Sequence, residues 1–127
     1  MLNFDETQEA LSGLIDKLPA GIFDRLNCGV VLLPDSLYDE NGLLILGQYH
    51  VEHLGLGRYV TIQYGSLMAI FGHYEPAAFV KKLEDVLHHE LTHHLESLAG
   101  DKSLERQDKK DVRKILQHRY VYQVPNE

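Results

Sequence analysis

The sequence predicts an α+β fold in which helices pack on a small sheet. Three observations predict it. Apolar residues recur at helical spacing near the N-terminus, short β-branched or alternating runs occupy the middle, and a long amphipathic stretch follows Pro76. The chain has 127 residues, 44% of them hydrophobic, which suits one domain covering 1–127.

From Thr7 to Leu18, Ala10, Leu11, Leu14, Ile15 and Leu18 share one helical face, with Asp5 and Glu6 at the positive end and Pro19 closing the helix. Cys28 to Leu33 is an apolar, β-branched run bounded by turn residues and reads as a buried strand. Pro34 to Asn41 is rich in turn formers, and Gly42 opens a second strand that extends to Val51. His53 to Arg58 reads as a loop. Arg58 to Tyr64 alternates strictly and is the third strand, and Gly65 to Gly72 suits a turn or two of helix. Glu75 and Pro76 then start the main helix, with proline tolerated at its first position. Through Ala99 its apolar stripe comprises Phe79, Val80, Leu83, Val86, Leu87, Leu91, Leu95 and Leu98, and Gly100 offers a left-handed stop. A short helix over Gln107 to Gln117, with Val112, Ile115 and Leu116 inward, and a loose tail after Pro125 complete the expectation of a three- or four-stranded sheet with helices.

Composition narrows the function. Lys and Arg number 12 against 19 Asp and Glu, a net charge of −7 that disfavours binding to nucleic-acid phosphates. The single cysteine, Cys28, forms no internal disulfide and excludes a cysteine-rich zinc module. The first eighteen residues are acidic where a secretory signal is basic, and the apolar runs fall far short of the roughly 20 residues that span a bilayer. A cytoplasmic protein without a membrane partner is the expectation.

Of eight histidines, His88, His89, His93 and His94 fall within seven consecutive positions of the main helix. His89-Glu90-Leu91-Thr92-His93 is the His-Glu-x-x-His pattern of zinc peptidases. Residues four apart on a helix point the same way about 6 Å apart, so the imidazoles of His89 and His93 can converge on one Zn2+ ion. Glu90 falls one position round, where its carboxylate serves as general base towards water activated by the ion. A catalytic zinc takes a third protein ligand. Glu96 is seven residues from His89, about 10.5 Å along the axis and too far to join both histidines. A reversal at Gly100 would instead bring back Asp101, the first choice, or Glu105 or Asp108.

The segment HHELTHHLESLAGDKSLE resembles the small bacterial zincin-like metallopeptidases, whose motif reads His-Glu-x-x-His-His-x-Gly-x-x-Asp. The resemblance extends to an N-terminal helix ending in Leu-Pro, a strand near Val30, Leu46-Gly47-Gln48-Tyr49 and Tyr64-Gly65-Ser66-Leu67. It implies a minimal zincin fold, with His89 and His93 as zinc ligands, Glu90 as general base and His94 as the family's adjacent second histidine. Glu96 and Ala99 stand where the family has Gly and Asp, so the nearest counterparts are Gly100 and Asp101, two residues later.

The expected function is zinc-dependent hydrolysis of a peptide or protein substrate. The alternative is a metal-stabilised binding or partner protein of the same fold without turnover, since 127 residues leave little material for a second lobe walling a cleft. His88 and His94 read as surface or packed residues, and His50, His53 and His73 as solvated ones. Cys28 reads as a small buried hydrophobe. The third strand is the candidate edge for an extended substrate, and His118, Tyr120 and Tyr122 are candidate oxyanion partners by residue type alone.

Overall fold

The computed structural model describes residues 2–52, 57–103 and 118–122, with 101–103 and 118–122 described by backbone alone. It is an α+β arrangement in the order α1 (Phe4–Asp16), a 3-10 turn (Ala20–Phe23), β1 (Val30–Leu33), β2 (Leu44–Val51), β3 (Arg58–Gln63), α2 (Tyr64–Phe71), α3 (Pro76–Ser103) and β4 (His118–Tyr122).

α1 starts three residues before the apolar periodicity does. Asn3 caps it, accepting from the Glu6 N–H at 2.8 Å while Glu6 accepts from the Asn3 N–H at 3.1 Å. This reciprocal pair satisfies two donors that a helix start otherwise leaves open.

The four strands lie in the order β1-β3-β2-β4. β1 runs parallel to β3, with Val30 opposite Val60, whereas β2 is antiparallel to both β3 and β4. β3 is therefore interior and both of its edges are paired. The expectation that β3 offers an edge to an extended substrate is overturned, because its backbone N–H and C=O groups already serve β1 and β2. A register shift between Ile45 and Gly47 bends β2 along β4.

Val30, Leu32, Tyr49, Val60 and Ile62 on one sheet face meet Leu83, Val86, Leu87 and Leu91 of α3 in the main core, which α1 completes with Leu11 and Leu14. Two details of α3 differ from expectation. Leu95 is 45% exposed, while His94 and Ser97 take the buried positions. The series 87, 91, 95 drifts about 40° around a helix at each step of four, so its last member leaves the core. α3 also runs through Gly100 to Ser103, so no reversal occurs at Gly100. Glycine costs a helix interior only about 1 kcal/mol, and no proline stands between Gly100 and Ser103 to force an exit.

Cys28 is exposed rather than buried, two residues before β1 begins. The predicted helix over 107–117, the loop at 53–56 and the tail after Pro125 lie outside the described residues. Among the described residues no helix is long and apolar enough to cross a membrane.

Candidate metal centre

α3 alone positions the predicted histidines. His89 and His93 project from its flank, half-buried at the boundary between core and solvent, and their rings meet edge to face. Their Nε2 atoms are 3.0 Å apart. An ion about 2.05 Å from both would subtend an angle of about 94°, and parting the nitrogens by about 0.35 Å would give the tetrahedral value. The helix thus brings two imidazoles to within a small adjustment of bidentate metal geometry.

Glu90 is fully buried, yet its carboxylate belongs to the same group: ligand atoms of His89, Glu90 and His93 all lie within 4.8 Å of one another. Among the described residues these three form a group that could hold a metal ion. Two imidazoles and a carboxylate suit a first-row divalent cation.

Room for Glu90 comes from β2. A Cβ added at Gly47 would stand 2.7 Å from Val86 Cγ1 and 3.3 Å from both Cγ and Oε2 of Glu90. Only a residue without a side chain lets β2 pass this close to α3, and sequence reasoning assigned Gly47 no such role. Glu96 approaches the other nitrogen of His93, with Oε2 3.6 Å from Nδ1. This is beyond hydrogen-bond length but on the side from which carboxylates orient metal-binding imidazoles.

The stop at Gly100 was the basis for Asp101 as third ligand. With α3 continuing, Asp101 is eight residues beyond His93, about 12 Å along the axis. Its side chain, and Glu105 and Asp108 entirely, lie outside the described residues. The backbones of His118, Tyr120 and Tyr122 form β4 against β2, and their side chains are likewise outside the description.

His88 is exposed, as expected, whereas His94 anchors a buried polar network that sequence reasoning did not foresee. Its Nε2 is 2.8 Å from the Asp24 carbonyl and its Nδ1 is 2.8 Å from the Tyr49 hydroxyl. A carbonyl only accepts, so Nε2 carries the proton, and in the neutral ring Nδ1 accepts from the Tyr49 hydroxyl. Arg58 Nη1 donates to the same hydroxyl at 2.9 Å and also to Ser97 Oγ. Burial holds His94 below the ordinary imidazole pKa, outweighing the Asp24 hydrogen bond, and Arg58 and Arg25 push in the same direction as burial. The neutral ring, in which Nδ1 accepts from Tyr49, is the form its surroundings favour.

No family model matches the chain, and no curated protein matches it. Among solved structures, the chain is similar to a conserved hypothetical protein from Thermus thermophilus, with 28% identity and a TM-score of 0.66 over 78% of this chain and 99% of that one. The shared architecture supports the α+β fold and carries no activity with it.

Proposed function

We propose that the protein is a zinc-dependent peptidase of the minimal zincin type, acting on a peptide or protein substrate. The observation that carries the reading is the 3.0 Å approach of the two Nε2 atoms beside the Glu90 carboxylate on one helix. His89 and His93 would hold the ion through those nitrogens. Zinc, when bound, supplies the Lewis acidity that makes water a nucleophile near neutral pH. Glu90 accepts the proton of the attacking water and passes it to the leaving amine. Its burial against β2 fixes the carboxylate, so little reorientation precedes proton transfer.

The same burial favours a second reading, a metal-stabilised binding protein of this fold without turnover, because a fully covered Glu90 is shielded from substrate. One pair of variants separates the two. Elemental analysis should find one zinc per chain in the wild type and none in His93→Ala. Glu90→Gln should keep its zinc and lose cleavage of a peptide library by at least about 100-fold, the scale of general-base catalysis. A wild type that binds zinc but cleaves nothing in that library supports the second reading.

A further inference from the structure

We propose that Tyr49, Arg58, His94 and Ser97, together with the Asp24 carbonyl, are positioning residues that set the axial rotation of α3 and thereby aim His89 and His93 at their shared ion. The inference rests on the reading of those two histidines as metal ligands.

The apolar contacts of Leu83, Val86 and Leu87 are not directional, so they set the rotation of α3 about its own axis less sharply than hydrogen bonds do. A metal site has far less tolerance. A rotation of 10° at a side-chain radius of about 5.5 Å displaces an imidazole tip by about 1 Å, against about 0.2 Å allowed in metal–ligand distances. Directional bonds on the inward face of α3 supply the missing constraint.

His94 is held at both ring nitrogens, by β2 through Tyr49 and by the turn after the 3-10 segment through Asp24. Ser97 is held by Arg58 of β3. His94 follows His93 directly and Ser97 is one turn beyond it, so fixing these two fixes the azimuth of the ligand next to them. The donors run one way, from Arg58 to the Tyr49 oxygen, from the Tyr49 hydroxyl to His94 Nδ1, and from His94 Nε2 to Asp24. Reversing one link breaks the next, so the chain specifies a single arrangement.

Two features mark it as more than a filled core. His94 is fully buried and Arg58 is 8% exposed, in places where apolar residues would serve stability as well or better. The Asp24 carbonyl is presented by a turn with φ −56° and ψ 133° at Asp24 and φ +62° at Arg25, the pattern of a type II turn whose third residue is normally glycine. A non-glycine residue there costs about 1 kcal/mol and persists where its surroundings over-determine it.

The test is zinc affinity by chelator competition and the Co(II) absorption spectrum of the full chain, at a temperature where circular dichroism shows each variant folded. Tyr49→Phe keeps the ring and removes the central hydroxyl. It should weaken zinc binding by at least about tenfold and alter the Co(II) bands. His94→Gln, which can still donate to Asp24 and accept from Tyr49, should bind zinc more tightly than His94→Leu. Zinc affinity within twofold of wild type for Tyr49→Phe overturns the proposal and leaves the metal site standing. Failure of folded wild type and His93→Ala alike to bind zinc overturns the metal reading and this proposal with it. Should Tyr49→Phe not fold, Ser97→Ala decides by the same criterion.

Discussion

Replacing Gly47 by alanine probes the closest approach between β2 and α3. The new Cβ would sit 2.7 Å from Val86 Cγ1, whereas carbon atoms rest at about 3.5–4.0 Å, so roughly 1 Å of relief is required. Val86 is 1% exposed, and a valine in a helix has one strongly preferred rotamer, so turning the side chain is a poor escape. Overpacking of this kind costs about 1–3 kcal/mol. Alanine recovers about 0.5–1 kcal/mol of backbone entropy relative to glycine, leaving a net loss of about 0–2.5 kcal/mol. Urea unfolding of four proteins, wild type, Gly47→Ala, Val86→Ala and the double variant, measures the coupling directly. Removing Cγ1 opens the space, so Gly47→Ala should be neutral or stabilising in the Val86→Ala background, with a coupling of at least about 1 kcal/mol. Equal destabilisation in both backgrounds would refute the close-approach argument. The 3.3 Å contacts to Glu90 add a second readout: zinc affinity or turnover should fall in Gly47→Ala beyond what its stability explains.

Asn3→Ala removes the side-chain half of the α1 capping box and should cost about 1 kcal/mol in urea unfolding, with Asn3→Ser retaining most of it. A loss below about 0.3 kcal/mol contradicts that account of the helix start. Burial lowers the His50 pKa from the ordinary 6.5, with nearby Glu52 partly opposing. The unfolded chain then binds the proton more readily than the folded one, so this stability is whole above pH about 6.5 and declines as pH falls through the lower, folded-state value. With chelator present throughout, the stability lost between about pH 7.5 and about pH 5.5 should be smaller in His50→Gln than in wild type, and an equal loss in both removes His50 from the explanation.

Much of this protein was legible where contacts are local. The periodicity of 76–99 gave a helix, the spacing of His89 and His93 put both rings on one side of it, and alternation marked β3. The Asn3/Glu6 signature of the α1 start was also present in the sequence, and the apolar spacing simply began later. Each of these depends on residues at most four apart, whose relative placement the backbone geometry of one element dictates.

The sequence by itself therefore determined α1 to α3, β1 to β3 and the histidine pair, but not the strand β4. Tertiary structure decided that β3 is interior, that β2 passes close enough to α3 to require Gly47, and that His94 rather than Leu95 turns inward to meet Tyr49. His94 finds its partners 45 and 70 residues away. Spacing along the chain carries no information about such pairs, because burial and directional hydrogen bonding between separate elements select them only once the layers have packed.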